Sequence, residues 1–184
     1  MKASGCPPNR VNPSSRRTVG SYGWGFLDAA VIGSNKLLIG VRATKYHFGV
    51  LTLAMHMAWV RAVADRMKSD ISYAPTVYSL FPWPDPSPTQ KGAIKIAEEK
   101  VLSERAVHPD TPLAVLYDGR TMPPALSKAN AALDKAVDAA YRRRSFKSEA
   151  ERVAYLFERY EARAALLAPV PQPVKKGRRV KAPA

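Results

Sequence analysis

The sequence predicts a mainly α protein, in which a mixed α+β segment over residues 26–84 precedes a small antiparallel helical bundle over 85–168. Three observations carry this reading. Apolar residues recur at helical spacing through 47–68 and again through most of 92–167. The stretch PWPDPSP, residues 82–88, holds four prolines and separates the two parts as a stiff, extended boundary. Only two stretches carry β-type patterning: the apolar runs within 26–44 and the alternating run 76–81.

Residues 1–25 are rich in Pro, Gly, Ser, Asn and Arg without an apolar period, and read as a disordered basic arm. The segment FLDAAVIGSNKLLIGVRAT, 26–44, fits a hairpin turning at Gly33-Ser34-Asn35. One long helix is expected from His47 to Lys68. Leu51, Met55, Ala58, Ala62 and Arg66 form one stripe of it, and Arg61, Asp65 and Lys68 lie towards a polar face. Ser69-Asp70 ends it, and Thr76 to Phe81 alternates as a strand. Met55, Met57, Trp59, Phe81 and Trp83 are expected to pack together, because large aromatics and adaptable methionines more often fill a core than a site.

The remaining helices follow the same logic. Gly92–Val107 carries Ile94, Ile96, Ala97, Val101 and Leu102. TPLAVLYD, from Thr111, forms a short turn of helix. Pro123-Pro124 opens the next helix, since a first-turn proline loses no hydrogen bond. Leu126, Ala129, Leu133, Val137 and Ala140 are its apolar stripe. Ser148-Glu149-Ala150-Glu151 has the capping-box pattern, followed by Val153, Leu156, Phe157 and Tyr160. Residues 89–168 are expected to share one apolar interior. The tail, 169–184, is basic, low in complexity and expected to be disordered.

Charge narrows the partner class. Of 184 residues, 29 are Lys or Arg and 15 are Asp or Glu, a net charge of +14. Residues 1–70 hold ten cations against three anions, 71–168 fourteen against twelve, and 169–184 five against none. A basic excess of this size favours polyanions, nucleic acid before an anionic surface. The lone Cys6 excludes an internal disulfide and a cysteine-based zinc cluster, and suits a cytoplasmic setting. No run approaches the ~18 apolar residues that a membrane span needs, so no membrane partner is expected.

Catalytic patterns fail on inspection. Amino-methylation of a flipped base calls for an Asn/Asp-Pro-Pro-aromatic loop, whereas Asn12-Pro13-Ser14-Ser15 lacks the second proline and the aromatic ring. Gly20, Gly23 and Gly25 do not match a cofactor-binding glycine loop. Asp85 and Glu98-Glu99-Lys100 imitate a metal-dependent nuclease, but the Glu-Glu-Lys lies within a helical period, so these read as solvated helix charges. His47 and His56, nine residues apart, project from different faces and cannot share one metal. No catalytic, cofactor-binding or metal-ligating residue is therefore expected in this chain. Candidate nucleic-acid contacts are Arg10, Arg16 and Arg17 in the arm; Arg61; Lys68, Ser69, Ser72 and Tyr73 in the polar loop; and Lys175, Lys176, Arg178 and Arg179 in the tail. Arg142-Arg143-Arg144 close a helix and complement its dipole.

Four pieces, HFGVLTLAMHMAWVRAV, FPWP, LYDGRTMPPALSKANAALDKAVDAAY and SEAERVAYLFERYE, together resemble the C-terminal part of the MmeI-like (type IIL) restriction-modification enzymes. The likeness runs from His47 to Glu161, with an echo at Gly25-Phe26-Leu27-Asp28, while residues 29–46 depart from the pattern. It implies that 26–84 is part of a DNA target-recognition region and 85–168 the family's helical C-terminal domain. It further implies that the nuclease and adenine-N6 methyltransferase domains, which use Mg²⁺ and S-adenosylmethionine, lie outside this sequence. In many relatives the loop after the helix reads Lys-Ser-Asp-Tyr-Arg-Tyr-Ser; here it reads Lys68-Ser69-Asp70-Ile71-Ser72-Tyr73-Ala74. The expected function is a C-terminal recognition fragment that meets double-stranded DNA and is inactive alone. The alternatives are a helical module docking on a methyltransferase/nuclease chain encoded upstream, or a gene remnant without function.

Overall fold

A computed structural model describes residues 10–14, 23–27, 32, 38–40, 42–67 and 70–167. It is mainly α, with seven helices and two small antiparallel hairpins among those residues. Strand β1 (Arg10–Ser14) pairs with β2 (Gly23–Leu27), Asn12 opposite Gly25. Regular structure thus enters the stretch read as a disordered arm. The expected turn at Gly33-Ser34-Asn35 and the tail lie outside the described residues.

The long helix expected from His47 to Lys68 is two helices and a hairpin. Helix α1 (Lys45–Thr52) meets α2 (Ala54–Val63) at Leu53, whose backbone is extended. Nothing local demands this break. It is fixed by Asp134, eighty residues on, whose carboxylate accepts a hydrogen bond from Ala54 N at 2.9 Å and so satisfies one of the free N–H groups of α2. After α2 the chain forms β3 (Asp65–Met67) and β4 (Asp70–Ser72), with Arg66 opposite Ile71. The expected strand 76–81 is instead helix α3 (Pro75–Ser79). Pro75 suits a first turn, Val77 is the buried residue of the helix, and Phe81, just beyond its end, is buried as well.

Helix α4 (Pro88–Ala106) starts four residues earlier than expected. Ser87 caps it, its Oγ accepting from Gln90 N, while Gln90 Oε1 accepts from Ser87 N at 2.8 Å. The short α5 (Leu113–Leu116) precedes α6 (Pro124–Tyr141) and α7 (Glu149–Leu167). Gln90 Nε2 at the start of α4 donates to Ala139 O near the end of α6, so these two helices run antiparallel. Helix α7 is anchored differently from a bundle member: it lies against α2, with Phe157 and Tyr160 over Trp59 at ring distances of 5.4 and 5.8 Å. The main core joins Met55, Trp59 and Val60 to Phe81, Ile94, Leu126, Leu133 and Leu156, and a smaller cluster of Trp24, Phe48 and Leu51 lies beside it, with Trp83 and Tyr73 packed against both. The reason is geometric. Helices α4 and α6 form a single layer and need α1 and α2 to cover its inner face. Residues 89–168 therefore do not enclose an interior of their own.

Three further expectations are corrected. Glu98 is not a solvated charge: it is completely buried. Phe157, expected in the buried stripe, remains 37% exposed at the edge of Trp59. The capping box at Ser148 is displaced by one residue, for Ser148 Oγ accepts from Glu151 N, but the Glu151 carboxylate accepts from Lys147 N. Arg142, at the end of α6, stacks 3.7 Å from the Phe146 ring centroid and pairs with Glu151, fastening the α6–α7 connection.

Candidate nucleic-acid interface

The β3–β4 hairpin occupies the place of the polar loop, and its base is rigid for identifiable reasons. His56 is fully buried, and burial lowers its pKa to about 3, so the ring is neutral. Its Nδ1–H donates to Leu51 O at 2.9 Å, which leaves Nε2 to accept from the Tyr73 hydroxyl at 3.0 Å. Tyr73 also meets Trp24 edge to face at 5.7 Å. A buried imidazole thus ties the strand leaving the hairpin to α2 and to β2. An apolar cleft of about 320 Å³ opens beside this point, lined in part by Trp24, Leu51, Tyr73 and Tyr78.

The expected contact residues do not gather into one patch. Tyr73 is spent on His56 and Trp24, and Ser72 is half-buried in β4. Arg61 forms an ion pair with Glu149 at the start of α7. Arg10 belongs to β1, with its side chain outside the described ones, as are Arg16, Arg17, Lys68, Ser69, Lys175, Lys176, Arg178 and Arg179. The structure adds Arg66, which the helical stripe had turned inward. It lies on β3, exposed, and makes no ion pair with a described residue. Its signal was present in the charge itself, since a cation on an apolar stripe argues against that stripe.

The decoy sites do not assemble. Glu99 pairs with Lys45 at 2.8 Å, Glu98 is buried, and Asp85 pairs with Arg159 at 3.1 Å. Among the described residues no three His, Cys, Asp or Glu are grouped to hold a metal. Asn12 and Pro13 lie in a paired strand, not in a loop that could receive a base. These residues fit neither Mg²⁺ nor S-adenosylmethionine. No described helix is long and apolar enough to cross a membrane.

Family comparison agrees with this geometry. Residues 13–85 match the MmeI target recognition domain, and residues 86–168 match the MmeI C-terminal domain. The chain belongs to the MmeI family. Among similar proteins, DNA methyltransferase A of Bacillus subtilis (strain 168) is 39% identical over 138 residues, covering 74% of this chain and 16% of its own length. The structure of the type IIL restriction-modification enzyme MmeI in complex with DNA superposes with a TM-score of 0.78 at 34% identity, covering 89% of this chain and 22% of that one. The chain thus spans less than a quarter of the length of these relatives. Residues 29–46, expected to depart from the family pattern, fall inside the target recognition match.

Proposed function

We propose that this chain is a DNA-contacting specificity module: the target recognition domain meets double-stranded DNA, and the C-terminal domain holds it in shape. The observation that carries this is the agreement of two adjoining domain matches with a relative whose structure holds DNA. The β3–β4 hairpin is the contacting element, because it presents the exposed Arg66 from a base locked by His56 and Tyr73. The basic ends add sequence-independent attraction to phosphates.

Methylation and cleavage, with S-adenosylmethionine and Mg²⁺, are assigned to a separate methyltransferase/nuclease chain acting in the cytoplasm, to which this module would lend specificity. Incubating the purified chain with labelled S-adenosylmethionine and mixed-sequence DNA is expected to give no incorporation above a no-protein control. Incorporation would overturn that division of labour. Binding of a labelled duplex tests the module itself.

A further inference from the structure

A cavity of about 410 Å³ opens at the seam between the two domains, lined by Tyr46, His47, Trp83, Pro84, Asp85, Pro86 and Lys91. Its size falls within the ~300–1,000 Å³ of small-molecule clefts. Its lining combines four features that could meet a small ligand.

The first is a stacking surface. Trp83 is half-buried, so part of its ring remains open; it meets Phe81 at 5.4 Å, His47 at 5.5 Å, Tyr78 at 5.6 Å and Tyr46 at 6.5 Å. The second is a fixed donor. Thr44 N–H donates to His47 Nδ1 at 3.1 Å, so the ring proton resides on Nε2, which has no hydrogen-bond partner among the described residues. Burial lowers the pKa of His47 and favours this neutral form. The third is a half-used acceptor. Arg159 and Arg163 both approach Asp85 Oδ2, at 3.1 and 3.9 Å, leaving Oδ1 without a partner among the described residues on a side chain 82% exposed. The fourth is a cation: Lys91 Nζ is 5.9 Å from the Tyr46 ring centroid and makes no ion pair with a described residue.

We propose that this seam cavity binds an unpaired nucleotide whose base places an exocyclic amine beside a ring acceptor, as cytosine does. The base stacks on Trp83, as unpaired bases stack on aromatic platforms. Its amine donates to Asp85 Oδ1, the pairing carboxylates make with cytosine N4. The adjacent base acceptor takes the His47 Nε2–H, and Lys91 meets the phosphate. Thymine offers a carbonyl oxygen where cytosine offers the amine, and so sets an acceptor against the carboxylate. This site is independent of the duplex contact proposed above, and each can fail without the other.

Tryptophan fluorescence of the full chain tests the proposal, because Trp24 and Trp59 are only 3% and 2% exposed and Trp83 alone is placed to stack. The probes are single-stranded dC12 and dT12 at neutral pH. We expect saturable quenching by dC12, with affinity about tenfold above that of dT12, the scale of one good base contact. Lys91→Glu should weaken dC12 by about threefold or more at low salt. Asp85→Asn should erase the dC12 preference. Trp83→Phe should abolish the quenching, while anisotropy of labelled dC12 still reports binding within about threefold of the parent chain. Absence of quenching, equal quenching by dC12 and dT12, or quenching indifferent to both Lys91→Glu and Asp85→Asn would overturn the proposal.

Discussion

Single side chains decide several properties that the chain pattern does not show. Glu98 is the clearest. It faces the α1 backbone at Gly49, where an added Cβ would lie 3.6 Å from the Glu98 Cβ and 3.0 Å from Ile94. Both carboxylate oxygens are buried without a hydrogen-bond partner. Burial raises its pKa from 4.5 to about 7, against the lowering effect of Lys45, Arg105 and Lys95; Glu99 adds to the rise. The folded protein therefore holds a proton that the unfolded chain has released, between pH 4.5 and about 7. This contribution to stability is intact below pH 4.5, declines as pH rises through that window and is level above it. Buried His56, whose pKa falls from 6.5 to about 3, gives the opposite slope up to pH 6.5, so the Glu98 contribution is read as a difference: the stability of the parent chain relative to Glu98→Gln, from denaturant midpoints, should fall between pH 4.5 and about 7. A parent-minus-variant difference flat from about pH 5 to 7.5 would show that the carboxyl is hydrated or paired. Two neighbours on α7 make a second contrast. Leu156 is fully buried, so Leu156→Ala should cost roughly 2–5 kcal/mol. Phe157→Ala should cost only about 1–2 kcal/mol, because the ring is partly exposed and loses chiefly its contact with Trp59. Urea unfolding of both variants measures the difference.

At the scale of elements, the two family domains are fastened by contacts that neither could make alone. Asp134 of α6 caps α2, Tyr141 donates to Pro82 O at 3.1 Å, and Arg61 pairs with Glu149. Arg159 of α7 bridges Asp85 and the Trp83 carbonyl, pinning the FPWP segment. Asp134→Ala should cost about 1 kcal/mol, the usual value of a lost helix cap, and should raise hydrogen exchange at the Ala54 end of α2. Unchanged exchange there would show that the break at Leu53 needs no cap. These contacts also explain what the sequence made legible. The helices α4, α6 and α7 were readable because period, proline starts and caps agree locally. The break at Leu53 was not, because its cause lies eighty residues away. The run 76–81 satisfies both a strand alternation and the i,i+4 spacing of Val77 and Phe81, and only packing against Trp59, whose Nε1 donates to Val77 O, decides between them. The solvated reading of Glu98 failed for the same reason: its neighbours Glu99 and Lys100 are exposed, and one helix carries both environments. Of the candidate site, the polar turn after α2 was legible; the inward use of Arg61 and Tyr73 was not, since both partners are remote in sequence.

For the whole molecule, the shared core predicts one cooperative transition across both domains. Tryptophan fluorescence, reporting Trp24 and Trp59 in the target recognition domain, should lose its native signal at the same denaturant concentration as far-ultraviolet circular dichroism, which is dominated by α4, α6 and α7. Two separated transitions would mean that the C-terminal helices fold on their own. On the proposed function, the net charge of +14 would draw the folded module to DNA, and Arg66 on the hairpin would add a contact at a defined place. Titrating a labelled duplex with the full chain at several salt concentrations tests this account most directly. It predicts that log K falls with log salt at a slope of roughly −3 to −6, and that Arg66→Ala weakens binding and makes the slope shallower by about 1. No binding at about 50 mM salt, or binding that Arg66→Ala leaves unchanged in strength and slope, would contradict it.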